Sequence, residues 1–60
     1  MKKYGATIVF DCYNGRYSET IRFEAANKRD AKKRALGRGR ALACQYGEDF
    51  FYVEEIWEET

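Results

Sequence analysis

The sequence predicts an α+β fold with the order ββαβ, in which one helix packs on one face of a three-stranded antiparallel sheet. Three observations favour this fold. Residues 4–26 alternate between apolar and polar side chains around an Asn14-Gly15 turn signal. Residues 28–46 place apolar and small side chains at helical spacing, and residues 49–58 return to aromatic and β-branched residues.

The first two strands are predicted from this alternation, and one face of the first carries Tyr4, Ala6, Ile8, Phe10 and Cys12. The return strand covers residues 16–26, and its matching face carries Ile21, Phe23 and Ala25. Asn14-Gly15 favours a type I′ turn, because that turn needs positive φ at both central positions. A two-residue loop there pairs Tyr13 with Arg16. The resulting register joins apolar residues of the same face, namely Ile8 with Ile21 and Ala6 with Phe23.

A helix is predicted from Lys28 to about Tyr46. Asn27 is a favourable N-cap, and Asp30 stands at the third helical position, as in a capping box. Gly47 is the expected C-cap. The face predicted to meet the sheet is mostly small and consists of Ala31, Ala35, Gly39, Leu42, Ala43 and Tyr46. We therefore expect the helix to lie close to the sheet.

The third strand, within residues 49–58, has an ambiguous facing, because both of its alternating sets mix apolar residues with glutamate. A β-bulge near Glu54-Glu55 would let Val53 and Ile56 both point toward the core. A right-handed crossover from the second strand places the third strand beside the first, so the predicted strand order is 2-1-3. The sheet face without the helix is then left to solvent or to a partner.

Composition and length narrow the function. Residues 1–60 are enough for one small domain. The chain has no histidine, the usual proton carrier near neutral pH, so we expect a protein without enzymatic activity. Two cysteines are too few for a tetrahedral zinc site, and we expect neither metal nor cofactor. We expect Cys12 to be buried and Cys44 to be exposed, and a disulfide across a dimer is the alternative.

The expected location is the cytoplasm. The first residues do not form the unbroken apolar segment of a signal peptide. No apolar run approaches the roughly 20 residues that span a bilayer, so no membrane partner is expected. In the cytoplasm the two thiols stay reduced.

Charge and aromatic residues suggest where partners bind. Residues 28–40 are strongly basic, whereas residues 48–60 are acidic and contain no basic residue. The first hypothesis is a protein–protein interaction module that contacts its partner through Tyr52, Glu54, Glu55, Trp57 and Glu58. The alternative is a nucleic-acid-binding module that uses the basic helix residues Arg29, Lys33, Arg34, Arg38 and Arg40. A symmetric homodimer, formed through the exposed sheet face or an edge strand, is the third hypothesis.

The layout of the elements adds a resemblance. The first strand contains Ala6-Thr7-Ile8-Val9, the second ends in Phe23-Glu24-Ala25-Ala26, and the helix opens with Asp30-Ala31. Together with the closing aromatic strand, this layout resembles the small phage proteins that inhibit host RNA polymerase early in infection. The resemblance covers most of residues 4–58 and implies a phage-type inhibitor, which acts in host takeover by binding a host protein complex.

One region departs from that family's pattern. The family's contacts with the polymerase come from arginines on the last strand. This sequence has glutamates in that region, namely Glu54, Glu55, Glu58 and Glu59. The family's contact residues are therefore not carried over to this chain, and the identity of the target stays open.

Overall fold

The computed structural model describes residues 1–12, 15–48 and 50–59, with Cys12 described by its backbone alone. The predicted ββαβ fold and the strand order are confirmed. The elements are β1 (Lys2–Cys12), β2 (Gly15–Ala25), α1 (Lys28–Tyr46) and β3 (Phe50–Glu58). β1 is the central strand of the sheet β2-β1-β3, and it pairs with both neighbours in antiparallel orientation.

The predicted hairpin register is wrong by two residues. Cys12 pairs with Gly15, so that Ala6 lies opposite Ile21 and not opposite Phe23. Ile8 lies opposite Glu19. Side chains repeat along a strand with period two, so a shift of two residues keeps every side chain on its predicted face. The alternation therefore cannot distinguish the two registers. The type I′ turn predicted at Asn14-Gly15 includes Asn14, which lies outside the described residues.

The observed register brings aromatic side chains together across the hairpin. The rings of Phe10 and Tyr17 stack with centroids 5.2 Å apart, and those of Tyr4 and Phe23 stack at 6.4 Å. Aromatic pairs of this kind add roughly 0.5–1.5 kcal/mol beyond the burial of their area. In the predicted register the two residues of each pair would not lie directly opposite each other, which gives a physical reason for the shift.

The helix lies close to the sheet because its buried residues are small. Ala31, Ala35, Gly39 and Ala43 follow one another at intervals of four residues and are all buried. A Cβ atom at Gly39 would lie only 2.6 Å from the ring of Phe51 on β3. The helix runs without a break through both of its internal glycines. Beneath it, Ile8 and Phe10 are the largest fully buried side chains.

Both predicted helix caps are present. The Asn27 side chain accepts a hydrogen bond of 2.9 Å from the Asp30 N–H. Asp30 in turn accepts from the N–H of Ala26 at 3.0 Å, which closes a capping box one residue further back than the standard pattern. Gly47 ends the helix in the left-handed region with φ of 74°, and its N–H donates to carbonyls of the last turn.

The predicted bulge on β3 is also confirmed. Thr7 pairs with Glu55, whereas its neighbour Ile8 pairs with Val53, so Glu54 is the extra residue. Val53 and Ile56 both pack against the hydrophobic core, as the bulge requires. The bulge reverses the facing of the strand, and β3 therefore presents apolar side chains to both sides of the sheet.

Candidate functional site

The face of the sheet that the helix leaves uncovered carries a row of aromatic side chains from β3. Phe50, Tyr52 and Trp57 lie opposite Asp11, Val9 and Gly5 of the central strand. These β1 residues alternate with the ones that pack beneath the helix, so their partners on β3 point away from it. We call Phe50, Tyr52 and Trp57 the aromatic row, and the sheet face that bears it the open face.

The aromatic row is strongly exposed at one end and anchored at the other. Phe50 is 71% exposed and Tyr52 is 44% exposed, while Trp57 is half-buried. The indole of Trp57 lies directly over Gly5, where a Cβ atom would be 2.5 Å from the ring. Only a glycine leaves this space, so Gly5 lets the ring lie against the backbone of the sheet. Trp57 is therefore held in place by the sheet itself.

Ion pairs border the open face. Arg22 donates to the carboxylate of Glu59 at 2.7 Å, and Arg16 lies 3.9 Å from Asp11. Both pairs are largely exposed, so they contribute little to stability. They do neutralise the two arginines that β2 brings to this face. The rim is consequently mixed in charge, and it does not form the continuous basic patch that a nucleic acid would need.

A second surface lies on the other side of β3, between that strand and the first half of the helix. This groove has a volume of about 820 Å³. Its apolar part is formed by Leu36 of the helix together with Phe51, Val53 and Ile56 of β3. Its borders carry charges of opposite sign: Lys28, Arg29, Lys32, Glu54 and Glu55. The outer edge of β3 beside the groove pairs with no other described strand.

The predicted protein-binding residues occupy three different places. Tyr52, Trp57 and Glu55 face the open side, since Glu55 lies opposite Thr7. Glu54 is the bulge residue at the border of the groove. Glu58 lies opposite Tyr4 on the helix side, with a carboxylate oxygen 4.0 Å from Lys2.

Sequence reasoning missed two of the most exposed apolar residues near these surfaces. Phe50 belongs to the aromatic row, and Leu36, which is 49% exposed, borders the groove. Leu36 carried a usable signal, because it is the one large apolar side chain outside the small sheet-facing set in residues 28–41. The facing of Phe50 follows only from the pairing of β1 with β3.

The predicted nucleic-acid-binding residues are all exposed but do not share one side of the helix. Arg29 borders the groove beside β3, whereas Arg34 and Arg38 border a shallow depression beside Phe23 of β2. Arg34 also pairs with Asp30 at 2.9 Å. Among the described residues, the other helix cations have no ion-pair partner, namely Lys28, Arg29, Lys32, Lys33, Arg38 and Arg40.

Asp30 and Tyr46 have displaced pKa values, and in both the cause is a structural hydrogen bond. The N–H of Ala26 and the guanidinium of Arg34 lower the pKa of Asp30 below its ordinary value. A hydrogen bond from the Tyr46 hydroxyl to the carboxylate of Glu19, at 3.0 Å, raises the pKa of Tyr46. Tyr46 packs edge-on against Phe10, so this bond ties the end of the helix to β2. Neither group borders the open face or the groove.

The part of the chain that the structure describes contains no cluster of three or more side chains suited to holding a metal ion. Cys44 is a free and exposed thiol, as predicted, while the predicted burial of the Cys12 side chain lies outside the described residues. Within residues 1–12, 15–48 and 50–59, no helix combines the length and the apolar character needed to cross a bilayer. Comparisons with protein-family models, curated proteins and solved structures found no match to this chain.

Proposed function

We propose that this chain is a non-enzymatic protein-binding module that docks on a partner protein through its open face. The observation that carries the proposal is the aromatic row. A single helix covers one face of a three-stranded sheet, and the other face holds three aromatic side chains on one strand. Large apolar side chains exposed together on one surface are typical of interaction sites.

The chemistry of the row favours a protein over other partners. Tyrosine and tryptophan are enriched among the residues that dominate binding energy at protein interfaces. Trp57 is already fixed against Gly5, so binding does not have to order it, which lowers the entropic cost of association. The neutralised arginines of the rim make the open face a poor surface for a polyanion.

The resemblance to phage inhibitors of RNA polymerase adds a candidate target. A small rigid domain inhibits a larger machine by occupying a surface that the machine needs, and it requires no chemistry of its own. In this chain the glutamates around the bulge and the aromatic row would replace the family's arginines, so the contact would lie on a basic and apolar surface of the target.

A pull-down from bacterial lysate, with the tagged chain and a nuclease-treated control, tests the proposal. We expect a protein partner that survives nuclease and high salt. The double variant Phe50→Ser/Tyr52→Ser should lose that partner, because both side chains are exposed and both belong to the row. The matched control is Leu36→Ser, a similarly exposed side chain on the helix side of the sheet. Equal capture by the row variant and the wild type would contradict the proposal.

One observation keeps nucleic-acid binding as a second candidate. Six exposed cations of the helix have no ion-pair partner among the described residues. A duplex or single strand that contacts them should bind with a steep loss of affinity as salt rises. Filter binding of DNA and RNA at low salt measures this, and the reversal Lys33→Glu/Arg40→Glu should abolish it. Absence of binding by the wild type at low salt removes this candidate.

A further inference from the structure

We infer that a second copy of this chain occupies the groove, and that two copies pair through the outer edges of their β3 strands. The edge is free along the whole strand Phe50–Glu58 in the described part of the chain. Strand pairing at this edge would place the apolar side chains of the added strand under Leu36. The inference goes beyond the proposed function and does not depend on it, because it concerns the edge and not the open face.

The bulge fixes which residues of the two copies can pair. Before Glu54 the helix-facing residues of β3 have odd numbers, as Val53 does, and after it they have even numbers, as Ile56 does. A two-fold axis perpendicular to the sheet keeps each face on its own side, so paired residues must share a face. In a register that spans the strand, each pair therefore joins a residue before the bulge to one after it.

The register centred on the bulge satisfies this condition for the pairs on either side of Glu54 and Glu55. Val53 lies opposite Ile56 of the second copy, and both belong to the apolar floor of the groove. Tyr52 lies opposite Trp57 of the second copy, and both belong to the aromatic row. The result is a continuous six-stranded sheet with both helices on one face and one extended aromatic surface on the other.

Charge complementarity identifies the occupant as a second copy. The helix border of the groove offers Lys28, Arg29 and Lys32, none of which has an ion-pair partner among the described residues. The strand that this chain itself can supply turns Phe51, Val53 and Ile56 to the helix side. It carries Glu54 at the border of the groove. Pairing places the Glu54 carboxylate near the cations of the other copy, which offsets part of the repulsion among the glutamates around the axis.

Size supports the same conclusion. A 60-residue chain buries only about 60% of the surface that its unfolded form exposes, so its core is marginal. Pairing at β3 buries Val53, Ile56 and Leu36, which are partly or largely exposed in the single chain. The dimer would then be more stable at higher concentration, because association is linked to folding.

The first test is the solution mass of the full chain, by light scattering and sedimentation, over a wide concentration range. We expect a dimer of twice 7.1 kDa that dissociates on dilution and at high salt. A monomer at all concentrations overturns the inference. This measurement needs no variant, so it stays decisive even if a substitution impairs folding.

Charge reversal on the helix or on β3 then tests whether the two copies meet at the seam, which is the paired β3 edges together with the helix cations beside them. One variant carries Lys28→Glu/Lys32→Glu and the other carries Glu54→Lys/Glu55→Lys. Each should dimerise at least about tenfold more weakly than the wild type, because like charges then meet across the seam. An equimolar mixture of the two should recover the dimer, since each helix then faces a strand of opposite charge.

The matched control reverses two cations on the outward side of the helix, in the variant Lys33→Glu/Arg40→Glu. It should keep the dimer at wild-type strength. A dimer that survives both groove reversals, or a mixture that fails to recover while the control dimerises, overturns the inference. Partner capture in the pull-down tests the open face, whereas the solution mass tests pairing at β3. Failure of one proposal therefore leaves the other unaffected.

Discussion

On each face of the sheet, a glycine leaves space for an aromatic ring of β3. On the covered face Gly39 of the helix meets Phe51, and on the open face Gly5 of β1 meets Trp57. The surroundings differ. Phe51 packs into the hydrophobic core, whereas Trp57 has no described layer above it. The first contact therefore belongs to the core, and the second holds an aromatic ring against the open face.

The largest effect on stability should come from Gly39→Ala. The new methyl group would lie 2.6 Å from the ring of Phe51, and the core around that ring leaves little room to move. We expect a loss of about 1–3 kcal/mol in the free energy of unfolding, measured by urea denaturation. Gly37→Ala is the control, because nothing lies within 4 Å of its Cβ position, and it should gain about 1 kcal/mol. Equal gains in both variants would contradict the close contact between Gly39 and Phe51.

Gly5→Ala should cost less stability but should change the open face more. Its methyl group displaces the ring of Trp57, which can turn into solvent, so we expect a loss of about 1 kcal/mol. Trp57 is the chain's single tryptophan, and its emission should shift to longer wavelength as the ring becomes exposed. Gly5→Ala should also capture less of the partner in the pull-down, because the ring of Trp57 is no longer held in place. An unchanged emission spectrum would show that the ring does not rest on Gly5.

Asn27→Ala should lower stability by about 1 kcal/mol, because it removes the acceptor for the Asp30 N–H. Asn27 is not among the nearest neighbours of the Cβ positions at Gly5 and Gly39, so tryptophan emission and partner capture should stay as in the wild type. Asn27→Asp restores an acceptor at the same position and should recover the lost stability in the same urea experiment. A loss of partner capture in the alanine variant would mean that the open face depends on the helix cap.

The smallest expected effect is on the free energy of unfolding at acidic pH. The pKa of Asp30 is lowered in the folded chain, so its contribution to stability is complete above the unfolded value of about 3.9. That contribution disappears as the pH falls through the lower folded value. Asp30→Asn should therefore flatten the acid side of the stability profile and leave tryptophan emission unchanged. Parallel acid profiles of the variant and the wild type would contradict this assignment.

Much of the fold follows from patterns within a few residues of each other. The caps at Asn27 and Gly47, the small buried helix face and the bulge near Glu54 were all predicted from such patterns. The hairpin register was not predicted correctly, because a shift of two residues leaves every side chain on the same face of the sheet. Phe10 and Tyr17 decide that register through ring stacking, and their contact is visible only in three dimensions.

The candidate site was harder to predict than the fold. Tyr52 and Trp57 were identified as contact residues from composition, but the aromatic row also needs Phe50, whose facing depends on the pairing of two strands separated by the helix. The contact of Trp57 with Gly5 depends on the same pairing. The groove combines Leu36 of the helix with β3, and no local pattern indicates which side of the helix lies over that strand.

Trp57 itself can report whether a partner binds at the open face. The partner captured in the pull-down is titrated into the purified chain while acrylamide quenching of the single tryptophan is measured. If the open face is the binding surface, quenching should fall as the complex forms, and Phe50→Ser/Tyr52→Ser should bind at least about tenfold more weakly. A complex that forms with unchanged quenching and unchanged affinity of that variant would contradict the account.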